Sequence, residues 1–503
     1  MNGHNRDDRQ QALALSATWA DIEGLAVCVV GLGRSGIAAA NALARRGASV
    51  MAYDDNDAQE LRGALEQLDR RVETRCGGGF IARPGEISVL SPGIGPTSQT
   101  FTRVRASSLA ILGEVELFYR LDRASNQGLG HPIVAIGGTD GKTTTASLID
   151  HLLAGGGLKT RLAGNIGTPL CAVVDDLGDD DVVVAEVSAF QTVTCTLFRP
   201  RVAVLTNIAL DHVDYFGGDF EAYAAAKIAL ASQLRTGDTL VYNTASERLC
   251  QLARSLAARP GITCIPYTGR SQLDVGLGSD GETLWWGLDA GRAVDVGDVA
   301  DLGAAGQRPM IGAHNVDNAL AAAGAALSMG VALHDVRHGL NTFELPPHRL
   351  QPAGAIGQVR FINDSKATNP HAALAGLKAV ALQEDARLVW IGGGSNKDAD
   401  FTELAAELAL RADCVILIGE TAHRIDAALP DFVRRIHCEQ MHDAVSTALH
   451  QAGESGVVLL SPACASYGLF RNYEHRGDMF MDAVERLGLA VEETPGTVGA
   501  KEG

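Results

Sequence analysis

The stretch HPIVAIGGTDGKTTTASLIDHLL, residues 131–153, decides the fold of the chain. Its start, His131 to Ile136, is an apolar run typical of a strand buried on both faces, and Thr144 to Leu153 has the pattern of a helix. Gly138 and Gly141 lie between them, in a turn from strand to helix. Backbone N–H groups and the positive end of a helix can hold a polyphosphate at such a turn. The stretch therefore predicts an α/β sheet with a phosphate-binding loop.

The residues of this loop carry the side chains that a nucleotide site needs. Lys142 can place a positive charge against a phosphate, and the Thr143 hydroxyl can bind Mg2+. The pattern is the short G-x-x-G-K-T, because Ile136 stands where the longer phosphate-loop pattern has its first glycine. We therefore expect ATP and Mg2+ as cofactors. The loop residues expected to contact ATP are Gly138, Thr139, Asp140, Gly141, Lys142, Thr143 and Thr144.

Composition and charge narrow the class of protein. A chain of 503 residues exceeds what one hydrophobic core can organise and suggests about three domains. Its 60 Asp and Glu against 42 Lys and Arg give a net charge of -18, which argues against nucleic acid or an anionic membrane as partner. The apolar runs are strand-sized and the polar start, Met1 to Gln11, has no signal-peptide core, so we expect a cytoplasmic protein. The cysteines include no C-x-x-C pair, which favours free thiols.

Three stretches of the chain each restart an alternation of strands and helices. The first opens at Leu25 to Val30. The second is the phosphate-loop stretch, which follows a linker-like segment rich in Gly, Ser and Asn at Arg123 to Gly130. The paired prolines Pro346 and Pro347 interrupt helix and sheet before the third. Such alternation is typical of parallel α/β sheets.

A second glycine motif, Gly31 to Gly36, has the pattern G-x-G-x-x-G directly after the first strand. Asp54 follows the second strand, Ser49 to Tyr53, at about the spacing at which a dinucleotide fold places the acid that binds a ribose. The motif predicts a site for a nucleotide diphosphate. Which nucleotide it serves is open from these residues, and an NAD-dependent oxidoreductase is the alternative from another functional class.

Six further motifs follow along the chain. They are GNIG at 164–167, EVSAFQ at 186–191, NIALDHVD at 207–214, GAHNVDN at 312–318, NDSKATN at 363–369 and SPACAS at 461–466. Together with the two glycine loops, these motifs closely resemble those of the Mur ligase family, and in particular its members that add D-glutamate to UDP-N-acetylmuramoyl-L-alanine. The resemblance covers nearly the whole chain, from about Leu25 to about Gly488.

The resemblance implies an α/β protein of three domains. Residues 1–125 would form a Rossmann-like domain that binds the UDP-sugar, 126–345 a central P-loop ATPase domain with a mostly parallel sheet, and 346–503 a Rossmann-like domain that binds glutamate. The implied reaction is ATP-dependent amide formation through an acyl phosphate and a tetrahedral intermediate, in cytoplasmic peptidoglycan precursor synthesis. The expected partners are UDP-N-acetylmuramoyl-L-alanine, D-glutamate and ATP, and we expect a monomer.

The resemblance also implies roles for individual residues. Thr143 and Glu186 would hold one Mg2+ and His212 a second, and Lys227 would be carbamylated by CO2 to give a further anionic ligand. The expected catalytic residues are Lys142, His212, Lys227 and Lys366. The further residues expected to contact ATP are Asn315, Asn318, Arg349 and Asp364. The residues expected to contact the UDP-sugar are Arg34, Ser35, Asp54, Ser91, Asn165 and Ser188, and the other substrate-contacting residues are Thr368, Lys397, Ser466, Tyr467 and Tyr473.

Five positions depart from the commoner family pattern. Asp140 stands where Asn is frequent, Ala189 where a second Ser is usual, and Asn56 near the place of a basic residue. Tyr467 and Gly468 replace an apolar residue and Asp in the segment that would line the glutamate pocket. An L-glutamate-adding variant therefore stays open as an alternative, as do another Mur ligase and a folylpolyglutamate synthase.

Overall fold

The computed structural model describes residues 11–492 apart from 13, 17, 79–85, 125–127, 166, 211–212, 290, 306–309, 311, 381, 383–385 and 396–398. The described residues form three sheets with helices between their strands, so the predicted α/β class is confirmed. The chain divides into two compact units, 1–299 with 317–340 and 300–316 with 341–503. The first unit contains two of the sheets, and the second contains the third. The predicted division into three domains stays a prediction.

Two expectations from composition can be compared with this structure. All nine cysteines are free thiols, as predicted. Among the residues that the structure describes, no helix combines the length and the apolar character needed to cross a membrane.

The first sheet has five parallel strands in the order β3-β2-β1-β4-β5. The strands are β1 Ala26–Val30, β2 Ser49–Asp54, β3 Glu73–Cys76, β4 Ile87–Leu90 and β5 Ala110–Gly113, and the helices around them are Arg34–Arg45, Arg62–Leu65, Gln99–Ser107 and Glu114–Asp122. The strand order reverses between β1 and β4, as in dinucleotide-binding folds. Gly31 follows β1 with a φ of 91°, and a Cβ there would collide with Ser91 after β4. The predicted glycine turn therefore lies at the reversal point.

The second sheet has nine strands in the order β14-β13-β12-β11-β10-β9-β6-β8-β7. The strands are β6 Ile133–Gly137, β7 Lys159–Gly164, β8 Asp181–Glu186, β9 Val202–Leu205, β10 Thr239–Asn243, β11 Thr263–Thr268, β12 Gly276–Ser279, β13 Thr283–Asp289 and β14 Arg292–Asp298. The associated helices are Lys142–Gly155, Leu170–Val173, Ala189–Thr192, Phe220–Ile228, Glu247–Ala257, Ala313–Ser328 and Leu333–Thr342. Strands β6 to β12 pair in parallel, whereas β13 and β14 extend the sheet as an antiparallel hairpin.

The third sheet has six strands in the order β15-β16-β20-β17-β18-β19, of which only the edge strand β15 pairs antiparallel. The strands are β15 Gln351–Ile356, β16 Val359–Asn363, β17 Arg387–Gly392, β18 Cys414–Ile418, β19 Arg435–Cys438 and β20 Gly456–Leu460. The helices are Pro370–Ala379, Thr402–Arg411, Ala422–Ala428, Met441–Ala452 and Tyr473–Glu492. Trp390 and Ile391 belong to different hydrophobic clusters, because successive side chains of a strand point to opposite faces. The sheet is therefore buried on both faces.

A buried carboxylate joins the first sheet to the second within the first unit. Glu116, on the helix that follows β5, accepts hydrogen bonds from the backbone N–H groups of Thr196, Leu197 and Phe198 at 2.9–3.1 Å. Arg120, one turn along the helix, donates to the same carboxylate from Nε at 2.9 Å and Nη2 at 2.8 Å. The side chains of Glu116 and Arg120 are 0% and 3% exposed. Neither charge can be removed without leaving the other in a solvent-excluded site.

We predict that Glu116→Ala lowers the free energy of unfolding by about 3–5 kcal/mol, because it removes the carboxylate that pairs with a buried guanidinium and accepts from three backbone N–H groups. Chemical denaturation followed by circular dichroism measures the loss. Glu66→Ala is the matched control, since Glu66 pairs with Arg62 at the same i,i+4 spacing, with side chains 68% and 83% exposed. Such an exposed pair contributes about 1 kcal/mol or less. Equal, small losses in both variants would show that Glu116 does not brace the two sheets.

Candidate functional site

The phosphate loop lies between β6 and the helix Lys142–Gly155, as predicted. Gly138 and Gly141 have φ angles of 134° and 79°, in the region that favours glycine. A Cβ at Gly138 would collide with Thr206 Oγ1, and one at Gly141 would collide with Asn318 Oδ1. Both glycines are therefore required by backbone conformation and by close neighbours.

Strand pairing brings residues that are distant in sequence to this loop. Strand β6 pairs in parallel with β8 on one side and β9 on the other, so their carboxyl ends meet at one edge of the sheet. The register pairs Ile136 with Glu186 and Gly137 with Leu205, and β7 pairs Gly164 with Glu186. The loop, the end of β8, and the residues after β7 and β9 therefore form a single cluster.

Glu186 is the carboxylate of this cluster and is 2% exposed. Its Oε2 accepts a hydrogen bond from Thr143 Oγ1 at 2.9 Å, and its Oε1 accepts one from Asn165 Nδ2 at 2.9 Å. Hydroxyl and carboxylate oxygens are ligands that Mg2+ prefers, and Mg2+ in nucleotide sites takes its other ligands from phosphates and water. The described residues contain no group of three His, Cys, Asp or Glu side chains that could hold a metal ion by themselves. The oxygens of Thr143 and Glu186 thus fit Mg2+ that arrives with a nucleotide.

Two lysines contact the backbone of the loop. Lys142 Nζ donates to Thr139 O at 2.6 Å, and Lys227 Nζ donates to Gly138 O at 2.6 Å. Lys227 is 5% exposed, and its Nζ lies 4.5 Å from the centroid of the Tyr223 ring. Lys227 is therefore not a solvated surface charge, which is the usual state of a lysine on an alanine-rich helix.

Two features of the loop suit a polyphosphate. The helix Lys142–Gly155 begins after Gly141 without a side-chain cap, so its first N–H groups have no acceptor from the N-cap side chain. The Thr144 hydroxyl is buried and has no hydrogen-bond partner in the described structure. Asn318, expected to contact ATP, is held beside this helix because its Oδ1 accepts from Thr145 Oγ1 at 3.2 Å. A bound phosphate would supply acceptor oxygens to the first N–H groups of the helix and to the Thr144 hydroxyl.

The glycine turn of the first sheet is closed by Asp54. Its Oδ2 accepts from Leu32 N at 2.7 Å and its Oδ1 from Asn56 N at 3.0 Å. Arg34 Nη1 donates to Gly167 O at 3.3 Å. Gly167 follows β7 in the same unit, so Arg34, which is expected to contact the UDP-sugar, reaches the GNIG motif. Ser188 caps the helix Ala189–Thr192. Asp54 therefore has a structural role at the turn in addition to the ligand contact that the spacing predicts.

The second unit has its own cluster of expected site residues, where β16 and β20 end side by side. Asp364 Oδ2 accepts from Ser461 Oγ at 2.7 Å, and its Oδ1 accepts from Leu350 N at 3.3 Å. Burial raises the pKa of Asp364 to about 6, and the nearby Arg349 guanidinium opposes that rise. In the part of the chain that the structure describes, the buried Arg349 Nε has no hydrogen-bond partner.

Backbone strain marks the same cluster. His348, Leu350 and Ala463 are the three non-glycine residues with positive φ in the described chain, at 63°, 43° and 62°. Leu350 N donates to Asp364, and Ala463 N donates to Ala367 O at 2.9 Å. Such strain persists where the surroundings impose it, and it is common at ligand-binding sites.

The expected amino-acid pocket is described in part. Ser466 is 4% exposed, Thr368 is half-buried, and Tyr467 is 67% exposed. Lys366 Nζ lies 5.1 Å from the centroid of the Tyr473 ring, which places these two expected residues together. Lys397 and His212 lie outside the described residues, so their roles stay predictions.

Sequence reasoning missed two residues that hold these clusters together. Tyr223 is buried, and its hydroxyl lies 3.1 Å from Thr139 Oγ1 in the phosphate loop. Arg476 is fully buried and donates from Nε to Ser365 Oγ at 3.0 Å, from Nη2 to Ser365 O at 2.7 Å and from Nη1 to Cys464 O at 2.9 Å. Arg476 thus ties the NDSKATN segment to the SPACAS segment. One tyrosine in an alanine-rich helix and one arginine in a polar helix give no local signal of these contacts.

Comparison with known proteins gives two family matches and several relatives. The Mur ligase middle domain matches residues 136–326, and the Mur ligase glutamate ligase domain matches residues 348–464. The chain is 37% identical over 466 residues to the UDP-N-acetylmuramoylalanine--D-glutamate ligase of Pelotomaculum thermopropionicum, covering 92% of this chain and 97% of the relative. It is 36% identical to the ligase of the same name from Salinibacter ruber, covering 91% and 97%.

Two solved structures share the fold at low sequence identity. The MurF ligase of Thermotoga maritima in complex with ADP is 17% identical with a TM-score of 0.57, covering 81% of this chain and 96% of that chain. A pseudomurein peptide ligase type C from Methanothermus fervidus is 17% identical with a TM-score of 0.54, covering 92% and 100%. At this identity the likeness concerns the fold alone.

The raised pKa of Asp364 predicts a pH-dependent stability with a definite sign. The pKa of Asp364 in the folded protein, about 6, exceeds the ordinary value of 3.8. The free energy of unfolding therefore falls as pH rises from about 4, and the loss is complete above pH 6. We expect Asp364→Asn to gain about 3 kcal/mol relative to wild type between pH 4 and pH 7. Urea denaturation at a series of pH values measures the difference. Parallel pH profiles for wild type and variant would contradict the assignment.

Proposed function

The chain belongs to the Mur ligase family, and on that premise we propose that it joins D-glutamate to UDP-N-acetylmuramoyl-L-alanine at the expense of ATP. It is an ATP-dependent ligase of peptidoglycan precursor synthesis. The observation that carries the proposal is the cluster of Lys142, Thr143 and Glu186 at one sheet edge, in a chain similar over nine-tenths of its length to named D-glutamate ligases.

The chemistry explains why these residue types are needed. A carboxylate is a poor electrophile, and its approach to ATP is opposed by like charge. An oxygen of the substrate carboxylate would attack the γ-phosphorus of ATP, and ADP would leave to give an acyl phosphate. The amine of glutamate would then attack the acyl carbon and lose one proton, and the tetrahedral intermediate would expel phosphate to leave an amide. Lys142 and Lys366 would neutralise charge on the transferred group.

Mg2+ would supply charge neutralisation and orientation at the phosphates. We propose that Thr143 and Glu186 hold one ion and that His212 holds a second. The pairing of Thr143 with Glu186 at 2.9 Å supports the first assignment. For His212 the support is the family motif.

The other substrate contacts are proposals of the same kind. We assign residues 1–125 to the UDP-sugar, 126–345 to ATP and 346–503 to the amino acid, in a cytoplasmic monomer that needs neither nucleic acid nor membrane. The residues proposed at the UDP-sugar are Arg34, Ser35, Asp54, Ser91, Asn165 and Ser188. The residues proposed at the amino acid are Thr368, Lys397, Ser466, Tyr467 and Tyr473.

The alternatives differ in how well they account for the chain. An NAD-dependent oxidoreductase would need the first glycine turn alone and leaves the Thr143 and Glu186 pair without a role. The names of the relatives favour D-glutamate over the substrates of other Mur ligases or of a folylpolyglutamate synthase. The Tyr467 and Gly468 departure keeps L-glutamate as the specific competitor.

Phosphate release should therefore require ATP, UDP-N-acetylmuramoyl-L-alanine and an amino acid together, and D-glutamate should be preferred. A coupled phosphate assay with D-glutamate, L-glutamate, alanine and meso-diaminopimelate compares the substrates under identical conditions. Faster turnover with L-glutamate would refute the stereochemical part. NADH oxidation or NAD binding without ATP dependence would refute the ligase assignment.

Lys227 has a proposed role that depends on a modification. As an ammonium it would repel Mg2+, whereas reaction of its amine with CO2, with loss of one N–H proton, gives a carbamate anion that can bind Mg2+. The buried position of Lys227 beside the phosphate loop supports this assignment. A lysine there with no modification would place a second positive charge against the metal.

We predict that Lys227→Ala lowers kcat on the order of a hundredfold, by removing an anion from the site of charge transfer. Acetate or propionate should restore part of the activity, because a small carboxylate can fill the vacated space. Lys159→Ala, which removes an exposed lysine on β7, is the control and should neither lose activity nor respond to acetate. Near-normal activity of Lys227→Ala in CO2-depleted buffer would overturn the carbamate.

A further inference from the structure

The side chain of Asn207, two residues past the end of β9, makes three hydrogen bonds with the phosphate loop. Its Oδ1 accepts from Thr139 N at 3.1 Å and from Asp140 N at 2.9 Å, and its Nδ2 donates to Asp140 O at 3.3 Å. Its backbone carbonyl also accepts from Thr139 N at 3.0 Å. One amide thus both accepts from and donates to the loop backbone.

Thr206, the preceding residue, contacts the same backbone carbonyl of the loop, that of Asp140. Its Oγ1 donates to Asp140 O at 2.6 Å, and Gly137 O at 3.3 Å is a second, more distant acceptor of the same proton. Its backbone N–H donates to Gly137 O at 3.0 Å, and its own carbonyl accepts from Tyr267 Oη at 3.2 Å. Thr206 is 3% exposed, so its hydroxyl is fixed in a packed setting.

These contacts divide the backbone groups of the loop into two sets. The N–H groups of Thr139 and Asp140 are engaged by Asn207, so a polyphosphate would meet the N–H groups from Gly141 onward, at the start of the helix. The Asp140 carbonyl has two donors, Thr206 and Asn207, and is therefore held as a hydrogen-bonded acceptor. A carbonyl oxygen left to rotate toward the phosphates would repel them.

We propose that Asn207 and Thr206 are positioning residues for the nucleotide. They fix the loop so that the N–H groups at the start of the helix face the polyphosphate, and they hold the Asp140 carbonyl away from the phosphates. The inference rests on the proposed use of ATP and names two residues that act on it through the loop. An amide is required at 207, because aspartate cannot donate to the Asp140 carbonyl and alanine can neither donate nor accept.

The test compares ADP affinity, measured by isothermal titration calorimetry, with the KM values of ATP and of the UDP-sugar. We expect Asn207→Ala to weaken ADP binding and raise the KM of ATP tenfold to a hundredfold, since two or three hydrogen bonds of about 1 kcal/mol each are lost. Asn207→Asp should weaken ADP binding at least as much, because it sets a negative charge against the Asp140 carbonyl. Thr206→Val should weaken it by roughly tenfold and Thr206→Ser should restore it. The KM of the UDP-sugar should stay within about twofold of the wild-type value.

Asn41→Ala is the matched control. Asn41 also accepts from a backbone N–H, that of Asp69 at 2.7 Å, and donates to a backbone carbonyl, that of Gln67 at 2.9 Å, but in the first sheet. The Asn41→Ala variant should lose about as much free energy of unfolding as Asn207→Ala, but its affinity for ADP should equal that of wild type. If wild type does not bind ADP, the proposed function itself fails. If wild type binds ADP, and the folded variants Asn207→Ala and Thr206→Val bind it equally well, this inference is overturned. If Asn207→Ala does not fold, the comparison of Thr206→Val with Thr206→Ser decides.

Discussion

The pairing of β6 with β8 and β9 is the constraint on which the rest of the phosphate site depends. Parallel pairing brings the carboxyl ends of adjacent strands to one edge, and the observed register sets Glu186 opposite Ile136 and Leu205 opposite Gly137. The loop after β6 therefore has a carboxylate on one side and the Thr206 and Asn207 pair on the other. A shift of one residue in the pairing of β6 with β8 would turn Glu186 to the opposite face of the sheet.

The placement of charged side chains also follows from the function proposed for the loop. A protein with a net charge of -18 must concentrate its cations where it binds phosphates, and Lys142 and Lys227 both lie against loop carbonyls. Away from this site, the buried carboxylate of Glu116 is matched by Arg120 and by three backbone N–H groups. Among the described residues, the buried polar atoms that have no hydrogen-bond partner include Thr144 Oγ1 and Arg349 Nε, both on residues expected to contact ATP.

In the second unit, too, strand pairing brings together site residues that are distant in sequence. Asp364 and Ser461 meet because β16 and β20 are neighbours, although they are distant in sequence. Arg476 links the NDSKATN and SPACAS segments with three hydrogen bonds, and burial lowers its pKa to about 10. Of the residues with positive φ, Ala463 lies in the segment of Ser461, and Leu350 donates its N–H to Asp364. Rigid supports of this kind keep ligand-contacting side chains in place without touching the ligand.

The sequence by itself determined the local features of this protein. The apolar run, the two glycines and Lys142 specify a strand, a phosphate loop and a helix, because periodicity and backbone conformation are properties of short segments. The ordered motifs specified the family. The tertiary structure decided which motifs meet: Asn165, Glu186 and Asn207 reach the loop only through the strand order β7-β8-β6-β9. That order, the antiparallel hairpin of β13 and β14, and the burial of Lys227 and Arg476 depend on packing between distant segments, which no local pattern encodes.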